Sequence, residues 1–167
     1  SSWDVSIVPE MNSLFDSKTT FNDDISNWDV SSVTDMQVMF NGASSFNGDL
    51  SNWNVSNVTN MNSMFYNATS FNQDISNWDV SNVTNMNHMF YNATSLSNAN
   101  KCVIDASFSS NENWPYDWAE SCPLAACEAV FGCIPTEAEL QTAVNMWIDD
   151  NATALATYGH ISSWDVS

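Results

Sequence analysis

The chain has 167 residues, of which 20 are acidic and two are basic, so its formal net charge at pH 7 is −18. Nucleic acids and anionic membrane surfaces are bound by clustered Lys and Arg, which a chain with only Lys18 and Lys101 cannot supply. Its apolar runs are a few residues long, whereas a bilayer-spanning helix needs about 20. The sequence begins at Ser1 without a methionine or an apolar leader, and we expect a processed product or a piece of a longer chain.

The composition favours a folded protein whose surface is rich in neutral hydrogen-bonding groups. Apolar residues make up 44% of the chain and include eight Trp and nine Phe, more aromatic residues than disordered segments carry. The polar residues are dominated by 23 Asn and by 36 Ser and Thr. We therefore expect an aromatic core beneath a surface of amides, hydroxyls and carboxylates.

A 25-residue repeat occupies the first hundred residues. Four tryptophans mark it at a constant spacing: Trp3, Trp28, Trp53 and Trp78. We number the repeats one to four from these tryptophans, so that repeat two spans 28–52 and repeat three spans 53–77. Repeat one is the most divergent, and repeat four keeps the pattern only through Leu96. A fixed period of this length predicts a solenoid in which each repeat is one turn.

Two periodicities inside a repeat predict its elements. In repeat two, five apolar residues fall on one face of a short helix: Val33, Met36, Met39, Phe40 and Ala43. Thr34 and Gln37 match a capping box at the start of that helix. Leu50, Trp53 and Val55 follow in an extended segment and can point inward. Each repeat is thus predicted as a short strand, a turn, a short helix and a return, with its apolar stripes buried by stacking.

The motif resembles a known family. Units of the form WDVSxVTxMxxMFxxAxxFNxDIS are similar to the BspA-like leucine-rich repeats shared by mycoplasma variable surface lipoproteins and many secreted microbial and algal proteins. The resemblance covers residues 1 to about 98. It implies an α/β fold, a leucine-rich-repeat-type solenoid with parallel strands, in an extracellular or cell-surface setting. It implies neither enzymatic activity nor a defined ligand.

The period is lost from Asn98, and all four cysteines follow that point: Cys102, Cys122, Cys127 and Cys133. Because a solenoid end exposes apolar surface, we predict that residues 102–134 form a disulfide-stapled helical cap, which requires an oxidising compartment. Zinc is the competing interpretation, but the spacing contains no CxxC pair and neither histidine is near in sequence. Three pairings are open, and we favour Cys102 with Cys122 and Cys127 with Cys133.

The C-terminal residues predict the start of a further turn. Residues 135–161 have the pattern of a helical segment that opens with a capping box, and residues 162–167 repeat the SSWDVS with which the chain begins. The predicted organisation is a four-turn solenoid at 1–101, the cap at 102–134, a helical entry and a new turn. Because apolar side chains at both ends need burial, we expect end-to-end self-association through four residues: Trp3, Val5, Trp164 and Val166.

Six Asn-x-Ser/Thr sequons would be glycosylation sites in a secreted eukaryotic protein and would be bare in a bacterium. They are Asn54, Asn57, Asn67, Asn82, Asn92 and Asn151. Asn67 and Asn92 stand at equivalent positions and are expected to be modified first, with Asn57 and Asn82 next. Asn54 is expected last, because it replaces the Asp of other repeats and should keep its hydrogen-bonding role.

Aspartates recur at two positions of the repeat. One column of aspartates comprises Asp24, Asp49 and Asp74, and the other comprises Asp4, Asp29 and Asp79. Stacking places equivalent residues roughly 5 Å apart. The first column is a candidate calcium ladder, because carboxylate and carbonyl oxygens are the ligands of that ion. The alternative is that each Asp accepts backbone hydrogen bonds in its own turn.

Nothing in the sequence predicts catalysis. His88 replaces Ser or Val of other repeats and His160 lies in a connector; neither accompanies a recognisable nucleophile motif. We expect no cofactor other than calcium. Two functions fit this pattern: a non-enzymatic module of an extracellular array, filament or surface coat, or an adhesin or receptor-like module that binds protein or glycan along one face.

Overall fold

The computed structural model describes residues 4–118 and 121–122. In these residues the four repeats lie one on another, and most of the backbone is in turns and irregular coil. Three isolated parallel bridges join equivalent residues of successive repeats: Glu10 to Asp35, Asp35 to Asn60, and Asn60 to Asn85. One helix is present, α1 (Asn98–Phe108). The prediction of an α/β, leucine-rich-repeat-type solenoid is therefore wrong, because the described residues form no sheet and no helix within a repeat.

Left-handed residues prevent the helix that was predicted in each repeat. In repeat two, Val38 and Gly42 have φ angles of 50° and 66°, and a helix cannot continue through such residues. The same two positions are left-handed in the other repeats: Ser13 and Ser17, Ser63 and Asn67, and His88 and Asn92. The predicted capping box is also absent, because the Thr34 hydroxyl donates to the Pro9 carbonyl of the preceding repeat.

Main-chain hydrogen bonds run between repeats where a helix would keep them within one segment. Every second N–H along this part of repeat two donates to a carbonyl of repeat three, as Phe40 does to Met64 at 2.9 Å. Four such bonds join each pair of neighbouring repeats, at 2.6–2.9 Å. The intervening N–H groups close local turns, as in the bond from Met39 to Met36. We call this set of bonds the main-chain ladder.

Side chains take the place of a sheet in the extended part of each repeat. The Asn47 N–H donates to the Asn22 Oδ1, and the Asn72 N–H donates to the Asn47 Oδ1, both at 2.8 Å. The indole N–H of Trp53, at the start of repeat three, donates to the Ile25 carbonyl near the end of repeat one. In each of these bonds one partner is a side chain, so the extended segments are joined without pairing as strands.

The apolar positions predicted to face inward do form the core. All eight of them are at most 3% exposed: Val33, Met36, Met39, Phe40, Ala43, Leu50, Trp53 and Val55. Equivalent rings stack through the molecule, with centroids 5.5 Å apart for Phe40 and Phe65 and 6.5 Å apart for Trp53 and Trp78. The spacing identified the buried residues correctly, although it indicated the wrong secondary structure.

A cap closes the stack below repeat four. Helix α1 begins after Ser97, whose hydroxyl accepts the N–H of Asn100. A disulfide joins Cys102 in this helix to Cys122, which is the pairing preferred from the sequence. Cys127 and Cys133 lie outside the described residues, as do the predicted helical entry and residues 162–167.

Candidate functional site

The two ends of the stack differ, and the candidate functional site is the end formed by repeat one. The ladder has a direction: N–H groups of one repeat donate to carbonyls of the next. Repeat one has four carbonyls in the same acceptor position. They belong to Glu10, Asn12, Leu14 and Asp16. No described residue donates a hydrogen bond to these four oxygens.

An apolar cleft of about 570 Å³ lies beside these carbonyls. It is lined by residues equivalent to the buried core of the other repeats, among them Met11, Phe15, Phe21 and Trp28. Phe15, Phe21 and Trp28 are only partly buried. The residues 25 positions later, Phe40, Phe46 and Trp53, are at most 3% exposed. Leu14 is 46% exposed. We call this surface, with the four carbonyls, the open end.

Carboxylates surround the open end. Repeat one contains five acidic residues, repeat two contains three, and repeats three and four contain one each. The five are Asp4, Glu10, Asp16, Asp23 and Asp24. Four of them, all but Asp16, line the cleft. Negative charge is thus concentrated beside the four carbonyl oxygens to which no described residue donates.

The other end is closed by aromatic residues of the cap. The Tyr116 hydroxyl accepts the N–H of Phe90 at 2.8 Å, which is one of the four N–H groups that would continue the ladder. The rings of Trp114 and Trp118 lie 6.2 and 5.5 Å from the ring of Phe90, centroid to centroid. Burial raises the pKa of Tyr116 above 10, partly offset by the N–H bond from Phe90. A neutral tyrosine therefore occupies the position of the next repeat.

The buried carboxyl of Asp105 belongs to this cap. It is 7% exposed, and its Oδ1 accepts the indole N–H of Trp114 at 2.7 Å. The bond holds Trp114 edge-on to Phe108, with ring centroids 5.2 Å apart. Asp105 thus orients an aromatic residue of the cap.

The aspartate columns make hydrogen bonds within their own turns. Asp24, Asp49 and Asp74 each accept the N–H of the serine two residues later, at 2.9–3.0 Å. Bonds from the Ser26 hydroxyl and N–H lower the pKa of Asp24. Within the described part of the chain, no three His, Cys, Asp or Glu side chains lie close enough together to hold a metal ion. The calcium ladder stays a prediction.

Asn54 has the same role as the aspartates, as its position suggested. Its Oδ1 accepts both the N–H and the hydroxyl of Ser56. Other sequon amides bond between repeats: Asn57 donates to the Ser31 carbonyl, and Asn82 to the Ser56 carbonyl. Glycosylation stays a prediction, and Asn151 lies outside the described residues.

One lateral edge of the stack carries exposed aromatic residues. Tyr66 and Tyr91 are stacked with ring centroids 4.9 Å apart, and Tyr91 is 54% exposed. The His88 ring lies edge-on to Tyr91. Beside them, the amide of Asn92 donates to the Oδ1 of Asn67 at 2.8 Å. His88, an exposed substitution in the sequence, is thus part of an aromatic surface that equivalent positions in repeats one and two lack.

Of the four residues predicted to mediate assembly, only Val5 is among the described residues, and it lines the cleft of the open end. Val5 is 8% exposed, so its own repeat already buries most of it. Trp3, Trp164 and Val166 lie outside the described residues, as does His160. The sequence-based prediction missed Phe15, Phe21 and the unpaired carbonyls. The concentration of acidic residues in repeat one was the signal that could have located this end.

These features define a repeat protein with stacked 25-residue units. A family model described as "Mycoplasma protein of unknown function, DUF285" matches residues 1–102, and the chain belongs to this family. The resemblance to mycoplasma repeat proteins is confirmed at that level. No curated protein and no solved structure matches the chain. The described residues include no helix long and apolar enough to cross a bilayer.

Proposed function

We propose that the chain is a non-enzymatic structural repeat protein of the extracellular space or cell surface, similar to BspA-like surface proteins. In this proposal it is one module of a longer array, filament or surface coat. The Cys102–Cys122 disulfide supports the location, because such bonds persist in oxidising compartments. Belonging to a mycoplasma repeat family is consistent with a surface role.

The open end is the observation that carries this proposal. Inside the stack, each repeat gains four main-chain bonds and covers the aromatic rings of its neighbour. Repeat one has the same acceptors and the same rings, and no described residue donates to these acceptors. Stability in repeat proteins depends on interfaces between neighbouring repeats. A further repeat docked at the open end would therefore extend the stack, which is the property an array module needs.

Photo-crosslinking on cells that make the protein tests the proposal. A photoreactive amino acid at Leu14 would lie in the open end, and one at Ile7, which is 86% exposed, would serve as the matched control. We expect a crosslinked partner from Leu14, and a weaker product or none from Ile7. The absence of any product from Leu14 on intact cells would contradict an array role.

The lateral aromatic edge favours a second candidate function, recognition of a glycan or protein. Sugar rings stack on exposed aromatic faces, and the Tyr66–Tyr91 pair with its neighbouring amides offers such a surface. Binding to a glycan array should then be lost in Tyr66→Ala/Tyr91→Ala and retained in an open-end variant such as Phe21→Ala. Equal binding by both variants would exclude this edge as the recognition site.

A further inference from the structure

The chain contains two Asn-Gly pairs, Asn41–Gly42 and Asn47–Gly48, and both lie in repeat two. In such a pair the main-chain nitrogen of the glycine can attack Cγ of the asparagine, because the glycine has no Cβ to obstruct the approach. The new N–Cγ bond closes a succinimide ring, and the Cγ–Nδ2 bond breaks to release ammonia, which takes up the proton of the glycine N–H. Water then opens the ring to aspartate or isoaspartate.

Hydrogen bonds protect the first pair from this reaction. The Gly42 N–H donates to the Tyr66 carbonyl of repeat three at 2.7 Å, as part of the main-chain ladder. The amide nitrogen of Asn41, which would leave as ammonia, donates to the Asp16 carboxylate at 2.9 Å. The attacking nitrogen and the leaving nitrogen would therefore each have to give up a hydrogen bond before the ring could close.

The second pair has the opposite arrangement. Asn47 is exposed, and no described residue accepts a hydrogen bond from the Gly48 N–H or from the amide nitrogen of Asn47. The Oδ1 of Asn47 accepts two N–H groups of repeat three, from the Asn72 main chain at 2.8 Å and the Gln73 side chain at 2.9 Å. Negative charge develops on this oxygen during the attack on Cγ, and N–H donors directed at it stabilise that charge.

We propose that Asn47–Gly48 is a site of intramolecular modification in the folded protein, at which Asn47 converts to aspartate and isoaspartate while Asn41 is protected. The attacking group is the main-chain nitrogen of Gly48, and water is the one further reactant. The donors that stabilise the charged oxygen belong to the neighbouring repeat, so the stacking of repeats two and three builds the site.

Asn72 offers a comparison at the equivalent position of repeat three. Its Oδ1 also accepts two N–H groups, from the Ser97 main chain and the Asn100 side chain. The residue that follows it is Gln73, whose side chain hinders the approach of the main-chain nitrogen. Asn72 should therefore deamidate much more slowly than Asn47, although both oxygens are bonded in the same way.

The two products should affect the stack differently. Aspartate at position 47 keeps an oxygen for the Asn72 N–H, and a carboxylate accepts such a bond more strongly than an amide does. Isoaspartate adds a methylene group to the main chain and shortens the side chain by one. The bonds of residue 47 with Asn22 and Asn72 would then no longer fit the spacing of the repeats. Isoaspartate should therefore loosen the extended segment between repeats two and three.

Incubation of the full chain in water labelled with heavy oxygen, followed by digestion and mass spectrometry, measures deamidation at each asparagine separately. In the folded protein, Asn47 should react at least about tenfold faster than Asn41, because two hydrogen bonds oppose reaction at Asn41. In concentrated urea the two rates should become similar, since both asparagines precede glycine. Equal rates in the folded protein, or a ratio that urea leaves unchanged, would overturn the inference.

Gln73→Ala tests the contribution of the neighbouring repeat. This variant removes one of the two donors to the Oδ1 of Asn47, so deamidation there should slow roughly twofold to tenfold in the folded protein. The rate in urea should not change. Faster deamidation of Asn47 in the folded variant would contradict the role assigned to the donors.

Asn47→Asp is the control for the added charge alone. Exchange of the Asn72 amide hydrogen should be as slow in this variant as in the unmodified protein. The same amide should exchange faster in protein that has been aged until isoaspartate accumulates, as measured by isoaspartyl methyltransferase labelling. Equal exchange in the aged protein and in Asn47→Asp would contradict the predicted loosening between the repeats.

Discussion

Repeats one and four share a motif, and they differ in what lies on their outer side. In repeat four, Phe90 is 5% exposed because aromatic residues of the cap pack on it. In repeat one, the equivalent Phe15 is only partly buried and borders a cleft. The motif therefore does not determine whether a repeat is an end or an interior unit. The residues outside the motif do, since rings of the cap pack on Phe90.

Removing an aromatic ring should give the largest difference in the free energy of unfolding between the interior of the stack and repeat one. Phe65→Ala, in the interior, should lower the free energy of unfolding by about 3–5 kcal/mol, because its ring is fully buried. Phe15→Ala should cost less, since part of its ring is already exposed. Urea unfolding of both variants measures this, and equal losses would show that the open end is covered in solution.

Loss of the cap disulfide should have the second-largest effect on stability. Cys102 and Cys122 are 20 residues apart, and opening a loop of that size by Cys102→Ser/Cys122→Ser should cost about 3 kcal/mol. Amide exchange should accelerate in repeat four and stay unchanged in repeat two, because stability depends on neighbouring repeats. Faster exchange first in repeat one would contradict the assignment of Cys102–Cys122 to the closed end.

Tyr116→Phe tests the single hydrogen bond that terminates the ladder. It keeps the ring but leaves the Phe90 N–H without its acceptor, and should cost about 1 kcal/mol. Exchange of the Phe90 amide should accelerate. Tyr91→Phe is the matched control, because Tyr91 is exposed and its hydroxyl has no hydrogen-bond partner among the described residues.

Tyr116→Phe also tests a pH dependence of stability at the end of the stack that the cap closes. The pKa of Tyr116 is raised by burial, so the folded protein disfavours its ionised form. Above a pH of about 10 the unfolded chain loses this proton more readily than the folded protein, and stability falls as pH rises. Wild-type protein should show this loss, and Tyr116→Phe should show less of it.

The smallest effect is expected from the aspartate columns. The N–H and hydroxyl of Ser51 lower the pKa of Asp49, opposed by burial and by the charge of Asp24. The corresponding stability is present above the pKa of the unfolded chain, near 3.9, and is lost as pH falls through the lower folded value. Asp49→Asn, which can keep the bond as Asn54 does, should flatten melting temperature against pH below about 4. The converse variant, Asn54→Asp, should make the melting temperature fall more steeply with decreasing pH in the same range.

The sequence predicted the core of each repeat because burial follows side-chain type. It did not predict the backbone, because apolar residues three and four apart occur both in a helix and in these turns. Val38 illustrates the ambiguity: a β-branched residue gives no sign that its φ is 50°. A helical cap was predicted from residue 102 onward, but the start of helix α1 at Asn98 was not, since its first turn has no acidic residue.

The open end could not be predicted from the sequence for a different reason. Its four hydrogen-bond acceptors are main-chain carbonyls, which every residue has, so only the three-dimensional register identifies them. Its cleft is lined by the same residue types as the core. The five acidic residues of repeat one were visible in the sequence, yet their meaning depends on which side of the repeat faces outward.

The ladder also has a mechanical consequence. Its bonds connect one repeat to the next, so a force applied to the two termini would act on repeats one at a time. Each repeat that detaches releases 25 residues, a contour length of roughly 80–90 Å at 3.3–3.6 Å per residue. A stretched molecule would then lengthen in regular steps, which would let a surface protein absorb tension without losing its whole fold at once.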